Sequence, residues 1–300
     1  MFSRKSWALP RSLMTHDISH TGHLDPLISV CIPAFNGRDF IGAAISSVLA
    51  QTFTDFELIV VDDCSTDGTI DIVRSFHDPR IRVQQNSSNQ GFVSNWNAAV
   101  RASRAPLVKL LCDDDLLYPD CLQRQAAVFQ GPDAGAIALV CARRDIIDPD
   151  GHVVIKNRGW KRGQGQINAN KALRTIVRSG VNPIGEPLTC LFRRTDFERC
   201  GGFSYPHCYV QDLAFYTALL QIGDLYVLSD SLGAFRLHRN SATMKMARSQ
   251  GQQMAMMYRS LRRLPHSPVQ PQDIASGIAK ARLYAILRRM FCAWVLRPRH

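Results

Sequence analysis

Three consecutive carboxylates, Asp113, Asp114 and Asp115, are the group in this sequence best suited to chemistry. They follow the largely apolar run Lys109-Leu-Leu-Cys112, which predicts that at least part of the group is shielded from water. Adjacent carboxylates in such a place repel one another unless a cation compensates them. Oxygen-rich groups of this kind suit Mg²⁺ or Mn²⁺, which also bind phosphate oxygens. A solvated acidic turn before Pro119 is the structural alternative.

A second acidic group, Asp62 and Asp63, ends the apolar run Leu58-Ile-Val-Val61. The residues just after it have structural explanations, because Asp67-Gly68 is typical of a turn and Asp67 can cap the helix that follows. Asp62 and Asp63 have no such explanation. A carboxylate at the end of a strand can accept the ring N–H of a uracil or the hydroxyls of a ribose, so this pair is a candidate nucleoside site.

The elements that must position these acids alternate between strands and helices. Short apolar runs predict strands at 27–32, 57–61, 81–83 and 106–112, and helical spacing predicts helices at 40–49, 69–76 and 92–102. Such alternation predicts an α/β fold with a mostly parallel sheet and helices on both faces. Ligands bind at the carboxyl ends of such strands, where both acidic groups fall.

The second half of the chain has a looser pattern. Apolar runs predict strands at 136–141, 188–192 and 225–228 and a helix at 211–221, with a polar stretch at 148–169 left unassigned. The expected organisation is a flexible leader (1–26), a regular half (27–135), a looser half of the same domain (136–245) and a basic helical tail (246–300).

The net charge of +11 is confined to one end of the chain. The segment from Arg236 to His300 has thirteen Lys and Arg and one acid, Asp273, and so carries +12. The preceding 235 residues therefore carry −1, and this near-neutral body argues against nucleic acid as a partner.

Cysteine usage and hydropathy bear on the compartment. The nine cysteines are odd in number and contain no C-x-x-C pair, which favours a reduced compartment. No apolar run is long enough for a signal sequence or a membrane span. We therefore expect a cytoplasmic protein, with peripheral attachment to the inner face of the cell membrane left open.

Five motifs in order resemble those of family 2 glycosyltransferases. They are Pro33-Ala-Phe-Asn36, Ser47-Val-Leu-Ala-Gln-Thr52, Val60-Val-Asp-Asp63 with Ser65-Thr-Asp67, Asn89-Gln-Gly91 with Asn95-Trp-Asn97, and Lys109-Leu-Leu-Cys-Asp-Asp-Asp115 with Pro119. The resemblance covers roughly residues 27–125 densely. Each string is weak alone, whereas five in the family's order and spacing are specific.

The resemblance implies a GT-A fold, with residues 27–135 as its nucleotide-sugar-binding half and residues 136–245 as its acceptor-binding half. It also implies inverting transfer of a sugar from a nucleotide diphosphate, with UDP as the expected nucleotide, to a hydroxyl acceptor. Synthesis of a cell-surface polysaccharide or glycoconjugate would fit, with a saccharide or lipid-linked acceptor. The residues implied to bind the nucleotide sugar are Pro33, Ala34, Asn36, Asp62, Asp63, Gly91, Asn95, Lys109, Asp113 and Asp114.

In the family a D-x-D motif binds the Mn²⁺ or Mg²⁺ that bridges the diphosphate. Asp113 and Asp115 have that spacing. If Pro119 is aligned instead, Asp114 and Asp115 become the pair and Cys112 stands where an acid is common. Both registers remain open, and both include Asp115.

The resemblance also assigns residues in the second half. Asp212, at the head of the predicted helix 211–221, matches the family's catalytic base, although relatives often have a second acid beside it and this chain has Gln211. His238 matches a histidine that joins the metal or diphosphate, and Glu186 is a candidate acceptor contact. Their structural alternatives are a helix N-terminal charge for Asp212, an ordinary structural histidine, and a turn with two prolines around Glu186.

The tail has an amphipathic segment. Leu283, Ile286, Leu287, Met290, Phe291 and Trp294 share one face of a predicted helix, and Arg282, Arg288 and Arg289 lie opposite. Such a helix can lie on an anionic membrane surface, or it can dock on the catalytic domain.

Two other functions compete with sugar transfer. A nucleotidyltransferase would usually bring a Gly-rich phosphate loop or an activating lysine near the first strand, where residues 33–38 offer only Gly37 and Arg38. A nucleotide-sugar-binding protein with impaired catalysis is the other alternative, because the base position departs furthest from the family pattern.

Overall fold

A computed structural model describes residues 25–239 and 249–295, together with residues 241, 244 and 246. Residues 1–24 of the expected leader lie outside the described residues. The strands are β1 (Ile28–Ala34), β2 (Phe56–Asp62), β3 (Ile81–Gln85), β4 (Leu107–Leu110), β5 (Leu116–Leu117), β6 (Ile137–Ile147), β7 (Val153–Arg158), β8 (Gly165–Ile167), β9 (Cys190–Arg193) and β10 (Asp224–Arg236). The α-helices are α1 (Ile41–Leu49), α2 (Thr69–Arg74), α3 (Phe92–Arg101), α4 (Cys121–Phe129), α5 (Ala169–Ser179), α6 (Arg194–Arg199), α7 (Gln211–Leu219), α8 (Gln250–Arg263) and α9 (Pro271–Val295).

All ten strands form one sheet in the order β3-β2-β1-β4-β9-β6-β10-β5, with β7 beside β6 and β8 beside β10. The strands β3, β2, β1 and β4 are mutually parallel, as are β6 and β10. Strand β9 joins these two groups and is antiparallel to both β4 and β6. The predicted α/β class is confirmed, and the carboxyl ends of β1, β2 and β4 open at one edge.

Helices cover both faces of the sheet, which explains why β1 reads as a continuous apolar run. Val30 and Ile32 belong to one core, together with Ile45 of α1. Cys31 points to the opposite face and packs in a second core with Val100 of α3. Each residue of β1 is buried, because successive side chains enter different cores.

The C-terminal helix α9 docks on the domain. A Cβ on Gly277 would collide with the carbonyl oxygen of Val177, so glycine permits the close approach of α9 to α5. Arg174 Nε lies 2.9 Å from Asp273 Oδ2 and ties the two helices together. Docking leaves Leu283, Ile286, Leu287 and Met290 exposed. Among the described residues, no helix has the length and apolar character required to cross a bilayer.

The elements up to β4 follow their sequence patterns closely, whereas strand β5, helix α4 and several elements of the second half were not predicted. Strands β7 and β8 lie inside the polar stretch 148–169, and α5 follows it. Strand β10 continues eight residues beyond the predicted end at Leu228, because its far half pairs with both β6 and β5.

Candidate functional site

The first part of the candidate site forms where β1 and β4 end. Asp113 turns toward the loop after β1, where its Oδ2 accepts a hydrogen bond from the Phe35 N–H at 3.1 Å. A Cβ on Gly37 would collide with this carboxylate, so a glycine is needed at that position. Asp113 therefore links the ends of two neighbouring parallel strands.

Asp114 and Asp115 turn the other way and meet the side chain of Cys112. One oxygen of each carboxylate and the Cys112 sulfur all lie within 4.8 Å of one another. The structure thus brings together Asp114 and Asp115, the pair given by the register that aligns Pro119. Asp113, which has the D-x-D spacing with Asp115, faces Phe35 instead. The thiol stands where the family commonly has an acid.

Asp115 is held at the end of β10. Its Oδ1 accepts a hydrogen bond from the Arg236 N–H at 2.9 Å, and Arg236 Nε donates to the Asp114 carbonyl at 3.0 Å. Asp115 is fully buried, and its Oδ2 has no hydrogen-bond partner among the described residues. This role of Arg236 was not predicted, because it depends on a contact across 121 positions of the chain.

The acidic cluster, which comprises Asp113, Asp114 and Asp115 with the Cys112 thiol beside them, has negative charges that the protein alone does not balance. Burial and the neighbouring Asp114 carboxylate raise the pKa of Asp113 to about 8. Burial and Asp114 also raise the pKa of Asp115, and burial followed by Asp115 raises that of the Cys112 thiol. A divalent cation would offset this repulsion and satisfy the unpartnered oxygen of Asp115, so these residues fit a metal site.

His238 joins the cluster as expected. Its Nε2 lies 2.8 Å from Asp114 Oδ2, and its ring packs on Phe40 with 4.9 Å between ring centroids. Of the Asn240–Thr243 segment that accompanies it in the sequence, only residue 241 is among the described residues.

The end of β2 supplies the other donor-side acids. Asp62 is buried, and its Oδ2 accepts hydrogen bonds from the Ser65 N–H and the Gln85 side chain, both at 3.1 Å. Its Oδ1 has no partner among the described residues. Asn36 adopts a positive φ of 51° and accepts a hydrogen bond from the Thr66 N–H, which closes the site beside Pro33 and Ala34.

Asp63 has a structural role that the sequence did not reveal. Its carboxylate accepts hydrogen bonds from the Gln90 N–H at 2.9 Å, the Gly91 N–H at 3.0 Å and the Asn86 side chain at 2.7 Å. Gly91, at φ 83°, is the N-cap residue that precedes helix α3. Asn95 donates to the carbonyl of Val61 at 3.0 Å and thereby fixes the end of β2. Asp63 and Asn95 therefore hold the walls of the site.

Lys109 does not reach the site. Its side chain is fully buried on β4, and its Nζ donates a 2.6 Å hydrogen bond to Gln125 Oε1. Gln125 in turn donates to the Thr189 carbonyl at 2.7 Å. This geometry contradicts the expectation that Lys109 contacts the nucleotide sugar, because its ammonium group is hydrogen-bonded to Gln125 inside the core.

In the second half of the chain, Asp212 lies at the start of α7. Its Oδ2 accepts a hydrogen bond from Asn182 Nδ2 at 3.0 Å, and its Oδ1 accepts from the Leu213 N–H at 2.6 Å. Burial raises the pKa of Asp212 to about 7, and the Glu186 charge adds to the rise. A carboxylate with this pKa can accept a proton near neutral pH.

Glu186 forms a buried ion pair with Arg144. Two contacts join them, at 2.6 Å between Arg144 Nε and Glu186 Oε2 and at 2.8 Å between Nη2 and Oε1. Burial alone would raise the pKa of Glu186, but the charge and hydrogen bond of Arg144, together with smaller effects that include the Arg158 charge, hold that pKa below its ordinary value. Arg144 was not predicted, since nothing in its local sequence distinguishes it from other basic residues on strands.

A cavity of about 720 Å³ connects these groups. Its wall includes Cys112, Asp114, Glu186 and Asp212, and so reaches from the acidic cluster to the acceptor side. Cationic side chains also line it, namely Arg144, Arg158, Lys161, Arg162, Lys280 and Arg288. Helix α9 closes one end with Tyr284, Leu287 and Phe291.

The family model described as Glycosyl transferase family 2 matches residues 29–201. The chain belongs to this family. The enzyme is therefore a glycosyltransferase, and the interpretation of the five sequence motifs is confirmed. Because the matched segment ends at residue 201, it includes the acidic cluster and Glu186 but not Asp212 or His238.

Two curated relatives show how the similarity is distributed. TuaG of Bacillus subtilis, a glycosyltransferase named for teichuronic acid biosynthesis, is 29% identical over 243 residues, which is 80% of this chain and 90% of that protein. Chondroitin synthase of Pasteurella multocida is 31% identical over 152 residues, which is 50% of this chain but only 15% of that longer enzyme.

Solved structures share the fold of this glycosyltransferase. TarS 1–349 of S. aureus in complex with UDP-GlcNAc has a TM-score of 0.64 and 20% identity over 85% of this chain and 71% of that chain. A mannosyltransferase from Pyrobaculum calidifontis in complex with GDP-Man and Mn²⁺ has a TM-score of 0.63 and 17% identity over 90% of this chain and 74% of that chain. The expected GT-A fold is confirmed.

Proposed function

We propose that this glycosyltransferase moves a sugar, with inversion, from a UDP-sugar to an acceptor hydroxyl during synthesis of a cell-surface polysaccharide or glycoconjugate. The observation that carries the proposal is the placement of Asp212 and Asp114 on the wall of one cavity, with an Asp115 oxygen within 4.8 Å of the Asp114 carboxylate. The name of the B. subtilis relative supports a polysaccharide product. We also propose that residues 27–135 bind the donor and residues 136–245 the acceptor.

Inversion requires the acceptor oxygen to attack the sugar carbon from the side opposite the departing nucleotide. A base must then lie next to the acceptor hydroxyl, and a positive charge must lie next to the leaving phosphate. Asp212 would take the acceptor hydroxyl proton on its carboxylate, where Asn182 orients it. The bond from the sugar carbon to the diphosphate breaks as the new glycosidic bond forms, and no covalent enzyme intermediate is needed.

The leaving side would use the acidic cluster. Asp114 and Asp115 would hold Mn²⁺ or Mg²⁺, with His238 beside Asp114. When bound, the ion would supply positive charge to the donor diphosphate. The Mn²⁺ and GDP-Man bound to the mannosyltransferase of the same fold support this assignment. Asp113 would instead shape the donor loop through Phe35.

The nucleoside would lie against the ends of β1 and β2, near Pro33, Ala34 and Asn36. The unpartnered Oδ1 of Asp62 is a buried acceptor that a ring N–H or a ribose hydroxyl would satisfy. The UDP-GlcNAc bound to TarS supports a uridine nucleotide.

The test is a panel of nucleotide sugars with Mn²⁺, scored by thermal stabilisation and by release of nucleoside diphosphate. We expect one UDP-sugar to give both signals. Asp212→Asn should retain the stabilisation and lose turnover, while the exposed Asp133→Asn control retains both. Release of pyrophosphate from a nucleoside triphosphate and a sugar phosphate would favour a nucleotidyltransferase, and binding without turnover in the native chain would favour the impaired binding protein.

The acceptor side favours a lipid-linked, phosphate-bearing acceptor. The cationic side chains that line the cavity suit phosphate. The exposed apolar side chains of α9 lie next to the cavity, which Leu287 also lines. We propose that this face rests on an anionic membrane at the cytoplasmic surface, so that the acceptor's lipid stays in the bilayer.

Vesicle sedimentation tests the membrane proposal. The full chain should sediment with vesicles containing an anionic lipid and not with neutral ones. Ile286→Ser combined with Met290→Ser should reduce sedimentation, whereas Val153→Ser, at an exposed apolar residue on β7, should not. Equal retention of all three proteins would overturn the proposal.

A further inference from the structure

Cys112 stands at the acidic cluster without any described partner for its sulfur. It follows β4, and the turn in which the Asp115 N–H donates to the Cys112 carbonyl at 3.2 Å folds Asp115 back toward it. The largest charge effects on this thiol come from carboxylates, those of Asp115, Asp114, Asp113 and Asp212.

A second observation indicates that a cation completes this group. Asp115 is fully buried, its Oδ1 is held by the Arg236 N–H, and its Oδ2 is left without a donor among the described residues. An ionised oxygen in that position is costly unless a positive charge meets it. The sulfur of Cys112 lies within 4.8 Å of the acidic oxygens, close enough to share one ion with them.

We propose that Cys112 is a thiolate ligand of the metal, which makes this a mixed sulfur and oxygen site with a preference for later divalent ions over Mg²⁺. The inference rests on the proposed metal site at Asp114 and Asp115. On binding, the Cys112 thiol releases its proton to solvent as the sulfur–metal bond forms, and no electron is transferred. Carboxylate sites suit Mg²⁺ and Mn²⁺, whereas a thiolate adds affinity for Co²⁺ and Zn²⁺.

Absorption spectroscopy with Co²⁺ tests the ligand directly, without any measurement of activity. The full native chain should develop a thiolate-to-cobalt charge-transfer band on titration. Cys112→Ser should lose this band, while Cys200→Ser, at a free cysteine outside the cluster, should keep it. A band that persists in Cys112→Ser, or a native chain that binds Co²⁺ with no band, would overturn the inference.

Cys112→Asp provides an independent measurement, since it keeps a charged ligand. Calorimetry should show the ratio of Mg²⁺ to Mn²⁺ dissociation constants falling by about tenfold or more in this variant. An unchanged ratio would contradict the inference.

The two proposals fail differently. If Asp115→Asn abolishes Mn²⁺ binding but neither Cys112 variant differs from the native chain, only the thiolate ligand is wrong. If Asp115→Asn leaves Mn²⁺ binding unchanged, the metal site of the proposed function is wrong as well.

Discussion

Replacing Asp212 with asparagine should stop sugar transfer and at the same time stabilise the metal-free fold at alkaline pH. Loss of a general base lowers the rate by about 10²–10⁴-fold. The stability effect has a separate origin, because the buried carboxylate is costly once ionised. The two effects together distinguish a catalytic base from an ordinary helix N-terminal charge, which would stabilise the fold.

The size of the stability effect follows from the pKa of Asp212, which rises from 3.8 to about 7 on folding. The folded state therefore binds this proton more tightly than the unfolded chain does, and stability falls as the pH rises from 3.8 to about 7. Each pKa unit corresponds to about 1.4 kcal/mol, so ionised Asp212 costs the fold roughly 4 kcal/mol at most.

Asparagine at this position removes the cost of ionising a carboxylate, but it also removes a hydrogen-bond acceptor. The Asn182 side chain donates to Asp212 Oδ2, and losing that acceptor costs about 1 kcal/mol at any pH. The stability of the variant relative to the native chain should therefore rise by about 3 kcal/mol between about pH 5 and about pH 8.

Urea unfolding in the presence of a chelator, followed by tryptophan fluorescence, measures this difference at both pH values. The exposed Asp133→Asn serves as the matched control and should show no such pH dependence. An Asp212→Asn variant whose stability relative to the native chain is the same at both pH values would refute the raised pKa. Retained transfer would refute the role as base.

Two further substitutions test the walls of the site. Glu186→Gln leaves the buried Arg144 guanidinium unpaired and should lower the free energy of unfolding, measured with urea, by about 3 kcal/mol. Glu198→Gln, in an exposed pair, should lower it by less than about 1 kcal/mol. Equal losses in the two variants would show that the Glu186–Arg144 pair is not structural. Asp63→Ala removes the acceptor of the Gln90 N–H, so hydrogen exchange at that amide should accelerate about tenfold or more, and unchanged protection would contradict the structural role of Asp63.

The sequence predicted the donor side of this enzyme well because its information there is local. Strands β1 and β2 are buried on both faces and read as apolar runs, and the helices α1 and α3 show helical spacing. The second half is different. Strand β7 is largely exposed, and its only apolar run is the three residues Val153-Val-Ile155, so it was missed within a polar stretch.

Side-chain direction could not be predicted from the sequence. Lys109 lies in a motif that borders the acidic cluster, yet its partner Gln125 comes from α4 and draws it into the core. The three adjacent aspartates also diverge, since Asp113 faces the loop after β1 whereas Asp115 meets the end of β10. Both outcomes depend on contacts between distant segments, which spacing does not encode.

Calorimetry of UDP binding to the full chain tests the central claim most directly, namely that the Asp114–Asp115 cluster holds a divalent ion that in turn holds the donor diphosphate. UDP should bind in the presence of Mn²⁺, and the heat should disappear both with chelator and in Asp115→Asn. Equal UDP binding with and without Mn²⁺, or unchanged binding in Asp115→Asn, would contradict the account.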